Sequence, residues 1–110
     1  MDKLNFLFIC SKNEWRSRTA ETIFQKEEQF NVKSAGTSKT ARIRINQSLI
    51  AWSDKIFVME DQHKKRLFES YGEQLESKEI IVLGIPDEYQ YMDAELIEEL
   101  KDSVYFYLGG

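Results

Sequence analysis

The sequence predicts an α/β fold: a single three-layer domain over residues 1–110, with a four-stranded parallel sheet and helices on both of its faces. Two observations carry the prediction. Four short apolar runs rich in aromatic and β-branched residues alternate with stretches of helical spacing, and such alternation over 110 residues implies parallel strands joined by crossover helices. Hydrophobic residues make up 42% of the chain, enough to bury a core, and the length suits one domain.

The first run, Leu4–Ile9 (LNFLFI), reads as a buried central strand. From Arg16 to about Phe30, the side chains of Ala20, Ile23, Phe24 and Phe30 share one helix face, with Glu27 and Glu28 outside it. Asn31–Ala35 is then a short strand, broken by Gly36. Residues 37–47 are polar and irregular, Leu49–Trp52 reads as a short helix, and Lys55–Met59 (KIFVM) as a third buried strand. Asp61 can cap a helix that bears Leu67, Phe68 and Tyr71 and is ended by Gly72. Ile80–Leu83 (IIVL) is a fourth strand, followed by a turn through Gly84 and Pro86. In the last helix Leu96, Leu100, Val104 and Leu108 recur every fourth residue with Ile97 beside them, and Asp93 stands before it as a cap. Gly109-Gly110 reads as a frayed end.

Composition narrows the function. The longest apolar run, Phe6–Cys10, falls far short of the roughly 20 residues that span a bilayer, and no leader pattern stands at the start. A soluble, cytoplasmic protein without a membrane partner is expected. One Cys and one His exclude an internal disulfide and a structural Cys/His zinc site, and no metal or cofactor is expected. The net charge of −4 is an average over unlike halves: residues 1–55 carry ten Lys and Arg against six Asp and Glu, whereas residues 56–110 carry five against thirteen. The basic half can therefore hold an anion in an acidic chain.

In parallel sheets ligands bind at the carboxyl ends of the strands, and Cys10 stands where the first strand hands over to the first helix. A tight loop entering a helix turns backbone N–H groups inward, and the helix dipole adds to them, so Ser11, Lys12, Asn13, Glu14, Trp15, Arg16 and Ser17 can cradle a tetrahedral oxyanion. The same field favours a thiolate, the nucleophilic form of cysteine. Arg16, six residues after Cys10, offers a planar fork of donors to two phosphate oxygens.

This pattern, Cys-x5-Arg-Ser with Asn at its middle and Ala20-Glu21 in the helix behind, resembles the phosphate loop of the low-molecular-weight protein tyrosine phosphatases. Three further stretches resemble that family in order: Ser34-Ala35-Gly36-Thr37, Lys55–Met59, and Ile85-Pro86-Asp87-Glu88-Tyr89, the last similar to the family's Asp-Pro-Tyr loop. The resemblance implies the flavodoxin-like topology of the family and a metal-independent phosphomonoesterase, most readily a protein tyrosine phosphatase. In that scheme Cys10 forms a phosphocysteine and Arg16 binds the phosphoryl group. Ser17 hydrogen-bonds the thiolate, Asn13 holds the loop, and Asp87 is the general acid and base. A leaving oxygen needs a proton donor in any case, and His63, beside Lys64 and Lys65, is expected to be exposed and structural.

The chain also departs from the family. Lys12 adds charge at the mouth, Trp15 stands in place of the family's second loop cysteine, and Arg18 and Glu88 replace prolines, with Asp93 as a fallback acid. The segment after Thr37 is much shorter and its pocket wall is correspondingly reduced, leaving Tyr89, Tyr91, Arg42 and Arg44 as candidates to line the pocket. The partners implied are a phosphorylated protein or a small phosphate ester. A nucleic-acid phosphate end, motivated by Lys12, Arg42 and Arg44, is the less favoured variant. Two rivals remain: an arsenate reductase using an external small thiol, and a phosphate-binding regulatory module of weak catalysis.

Overall fold

The computed structural model describes residues 3–109. Strands β1 (Leu4–Cys10), β2 (Phe30–Gly36), β3 (Lys55–Val58) and β4 (Glu79–Val82) form one parallel sheet in the order β2-β1-β3-β4. Helices α1 (Arg16–Phe24), α2 (Gln47–Trp52), α3 (Asp61–Leu75) and α4 (Ala94–Tyr107) connect and follow them. The predicted three-layer architecture is present. Alternation of side chains along β1 sends Phe6 and Phe8 to one face with Phe24 of α1 and Leu96, Leu100 and Val104 of α4. Leu7 and Ile9 go to the other, with Ile50 of α2 and Leu67 and Leu75 of α3.

The two faces are filled differently. The α1/α4 side carries stacked aromatic rings, Phe6 on Phe30 at 4.4 Å and Phe8 on Phe57 at 5.0 Å between centroids, whereas the buried centre of the α2/α3 side is aliphatic, with Trp52 and Tyr71 only at its edge. Together they hold β1 rigid from both sides up to its last residue. In this strand order the chain reverses direction of winding at β1, so the carboxyl ends of β1 and β3 flank a crevice. Cys10 ends β1 there, opposite Gly36 in the register.

Several boundaries differ from the expectation. Helix α1 stops at Phe24 instead of running to Phe30, because Phe30 pairs with Leu4 at the start of β2 and the chain must turn between them. Helix α3 is capped by Glu60, not Asp61, and continues past Gly72 to Leu75 across a kink at Tyr71 (φ −135°, ψ 26°). Strand β3 ends at Val58, one residue before Met59, and β4 begins one residue earlier than read, at Glu79. Asp93 does cap α4, its carboxylate accepting from the Glu95 N–H at 3.0 Å, which occupies the fallback acid. Gly110 of the expected frayed end lies outside the described residues. Among those residues no helix is long and apolar enough to cross a membrane.

Candidate active site

Between β1 and α1 the chain makes a tight loop whose tightest point is Asn13, in the left-handed region at φ 59°. Asn is among the few side chains that tolerate it. Its buried amide also ties the loop down, Nδ2 donating to Ser17 Oγ at 2.7 Å and to Ser34 Oγ at 2.9 Å. Cys10 Sγ lies 2.9 Å from Ser17 Oγ and accepts from the Asn13 N–H at 3.3 Å. Ser17 has one hydrogen to give, and it is better placed on the sulfur than on Ala35 O at 3.4 Å. Two donors thus converge on the thiol, as stabilisation of a thiolate requires.

Helix α1 starts with no side chain capping it and no acidic residue in its first turn. Its first N–H groups are left for an anion. Arg16, only 2% exposed, gives both Nη1 hydrogens away, to Glu60 Oε1 at 2.5 Å and to Ile85 O at 2.9 Å. The Nε/Nη2 edge remains as the fork for an oxyanion. Asp87 follows β4 with Oδ1 3.8 Å from Arg16 Nε and a side chain 59% exposed.

Cys10, Ser11, Lys12, Glu14, Trp15, Arg16 and Asp87 line one cavity of about 250 Å3. Seven of the predicted residues therefore meet around the thiol. Asn13 and Ser17 do not line it; they lie buried beneath, on the sulfur. The four candidate wall residues are elsewhere. Tyr89 is buried in the aromatic core, since the loop after β4 turns its ring onto α4. Tyr91 bonds Thr22 Oγ1 at 2.8 Å with its ring under the Arg18 guanidinium. Arg42 donates from Nε to Asn13 O at 3.0 Å, so it braces the loop from behind. Arg44 borders a separate cavity of about 220 Å3 with Thr37, Arg66 and Tyr71.

The short segment after β2 works as a clasp. Thr37 N–H donates to Cys10 O, Ser38 N–H to Ser11 O and Arg42 N–H to Lys12 O, all within 3.0 Å. This lacing needs glycine at position 36, where an added Cβ would stand 2.4 Å from Ser11 O.

Two residues that the sequence reading did not assign to the site also reach it, Glu60 on Arg16 and His63 on Ser11. His63 is fully buried, not exposed: its Nδ1 accepts from the Glu60 N–H at 3.0 Å and its Nε2 meets Ser11 Oγ at 2.9 Å. Burial pushes its pKa down to about 4, with the Arg16 charge adding to the effect, so the ring is neutral. Burial opposes ionisation of Glu60, but the hydrogen bond and charge of Arg16 outweigh it and hold the carboxyl below its ordinary value. The signal available in the sequence was the N-cap-to-N3 spacing of Glu60 and His63 directly after a strand.

No family model matches the chain, and no curated protein sequence matches it. Solved structures do. It superimposes on SP-PTP, a low-molecular-weight protein tyrosine phosphatase from Streptococcus pyogenes, with a TM-score of 0.74 at 18% identity over 96% of this chain and 91% of that one. The tyrosine phosphatase Wzb from Escherichia coli K30, in complex with phosphate, gives 0.76 at 18% over 96% of each chain. YwlE arginine phosphatase, solved as a cysteine-to-serine mutant with its active-site serine phosphorylated, gives 0.71 at 18%, again over 96% of each. The fold is that of the low-molecular-weight protein tyrosine phosphatases.

Proposed function

We propose that this chain is a cysteine-dependent phosphomonoesterase, a protein tyrosine phosphatase in its chemistry, working through a phosphocysteine on Cys10. The observation that carries the proposal is the convergence on one cavity of a thiol with two donors, the open Nε/Nη2 edge of Arg16 and the Asp87 carboxyl. The Cys10 thiolate attacks phosphorus while the bond to the leaving oxygen breaks, and Asp87 gives its proton to that oxygen. Water then attacks the phosphocysteine and passes its proton to Asp87, and the sulfur leaves as thiolate, received by Ser17. Arg16 and the loop N–H groups carry the charge of the equatorial oxygens in both steps. The lone thiol is suited to a reducing compartment, and we place the protein in the cytoplasm.

The substrate class has a second reading. Glu14 lines the cavity with no cationic partner among the described residues, and a carboxylate there suits a leaving group rich in N–H donors, such as the guanidinium of phosphoarginine. One of the superimposed proteins is named an arginine phosphatase. The test is a quenched reaction with a labelled aryl phosphate, run without metal. Label on Cys10, lost in Cys10→Ala, is the expected result; turnover that survives Cys10→Ala would sink the mechanism. Competing phosphotyrosine and phosphoarginine peptides then separate the two substrates. Thiol-dependent reduction of arsenate without ester hydrolysis would point to the reductase, and phosphate binding without turnover to the regulatory module.

A further inference from the structure

Helix α3 opens next to the phosphate loop with a reciprocal cap. Glu60 N–H donates to His63 Nδ1 at 3.0 Å, and His63 N–H donates to Glu60 O at 3.0 Å. The Glu60 N–H can only donate, so Nδ1 must be the accepting nitrogen, and a neutral ring then carries its proton on Nε2. That proton is given to Ser11 Oγ at 2.9 Å. A hydroxyl that accepts from histidine keeps its own hydrogen for another partner, and Ser11 lines the Cys10 cavity. The other half of the cap acts on Arg16. The Glu60 carboxylate is held by the Arg16 Nη1 at 2.5 Å, with Gln62 Nε2 adding a bond at 3.2 Å, and this fixes which edge of the guanidinium is left over.

We propose that the Glu60–His63 cap sets the donor directions of the phosphate cavity: His63 makes Ser11 a hydroxyl donor to the bound oxyanion, and Glu60 turns the Nε/Nη2 edge of Arg16 toward it. Ser11 thereby becomes an additional oxyanion ligand. Glu60 and His63 are positioning residues that never touch the substrate. The inference rests on the phosphate-binding reading given above. It adds to the loop amides a side-chain donor whose hydrogen points outward only because a buried, neutral histidine occupies the lone pair behind it. A protonated ring would lose the Glu60 N–H as its partner, and an ionised hydroxyl is not needed at any step.

A double-mutant cycle with vanadate and inorganic phosphate as the probes tests it, using inhibition of aryl phosphate hydrolysis by the full chain. Ser11→Ala is expected to raise both inhibition constants about tenfold, the ordinary value of one hydrogen bond to a charged group. His63→Leu should raise them by a similar factor, and the double variant should be no worse than either single one, because His63 acts through Ser11. Glu60→Gln keeps the shape and an acceptor for Arg16, and should recover most of the binding that Glu60→Ala loses. Inhibition constants unchanged in Ser11→Ala would overturn the inference alone, and so would losses that multiply in the double variant. Ser11→Ala removes a half-buried hydroxyl in a loop, so this arm stands even if His63→Leu fails to fold. An unmodified protein with neither turnover nor vanadate binding would remove the proposed function and this inference together, whereas turnover with an indifferent Ser11 removes only the latter.

Discussion

The loop after β1 and the loop after β4 meet at one cavity but are built on opposite principles. The first is tied from every side: Asn13 and Ser17 hold it from below, the 37–42 segment laces it from outside, and α3 reaches it through Glu60 and His63. The second is anchored before and after Asp87 but not at it: beyond the acidic residue Tyr89 is buried in the core, Tyr91 bonds Thr22 Oγ1 at 2.8 Å and the Met92 N–H donates to Thr19 Oγ1 at 2.9 Å. Ile85 N–H donates to Met59 O at 2.8 Å and Ile85 O accepts from Arg16, while Asp87, two residues on, is 59% exposed and has a carboxylate 3.8 Å from the nearest guanidinium nitrogen. Donors that stabilise a developing oxyanion are effective when they need no reorganisation, so rigidity belongs in the first loop. In the proposed function Asp87 must serve a departing group and then a water, so freedom belongs at that position of the second.

The contrast can be broken most severely at Cys10, the proposed nucleophile. Cys10→Ser should lower turnover by at least about 10^4-fold while phosphate still binds, measured by hydrolysis of an activated aryl phosphate and by equilibrium dialysis. Asp87→Asn should cost about 10^2- to 10^3-fold with a poor leaving group and far less with a good one. Equal losses on both would move the acid elsewhere. Gly36→Ala tests the clasp, since the new methyl must push Ser11 O and the Ala41 side chain aside. About 1–3 kcal/mol of stability should be lost by thermal or denaturant unfolding, with turnover falling as the loop shifts.

His63, bonded to the first loop through Ser11, makes the stability of the fold depend on pH. Its pKa is lowered by burial above all and by the Arg16 and Arg66 charges, against the pull of Glu60 and Asp87. The unfolded chain takes up this proton near 6.5 and the folded chain only near 4, so stability is lost as pH falls between those values. Glu60 adds a loss in the same direction below its ordinary value of 4.5. The His63 contribution is at most about 3 kcal/mol. His63→Gln should therefore melt with much less difference between about pH 7 and about pH 5 than the parent protein. An unchanged difference would assign the acid lability to other groups.

The first loop was legible in the sequence because its fold and the function proposed for it use the same residues. Cys10, Asn13, Arg16 and Ser17 are spaced by the turn that the backbone must make, and the glycine after Ser34-Ala35 marks the clasp. What failed to show depends on distant packing. His63 reads as exposed beside Lys64 and Lys65, yet in a helix those neighbours point about 100° and 200° away from it. Gln25–Glu28 favour helix, but the register of Phe30 against Leu4 ends α1 at Phe24. Tyr89 and Tyr91 sit close to Asp87 in sequence, and nothing local tells a ring that faces the core from one that faces a pocket.

That last ambiguity gives the smallest expected effect, and it separates the two loops at their rim. Trp15, at the end of the first loop, is 42% exposed and lines the cavity; Tyr91, beyond the second, is 40% exposed and is engaged with Thr22 and Arg18. Equal exposure hides unequal roles. A ring on the cavity wall contributes about 0.5–1.5 kcal/mol to binding a substrate ring, so Trp15→Ala should raise KM for aryl phosphates about two- to tenfold and leave inhibition by inorganic phosphate nearly constant. Tyr91→Phe removes a surface hydrogen bond and should change neither, with stability within about 0.5 kcal/mol of the parent. A KM that rises in Tyr91→Phe instead would mean that the second loop folds over the substrate once it binds, and the freedom ascribed to Asp87 would then belong to the whole loop.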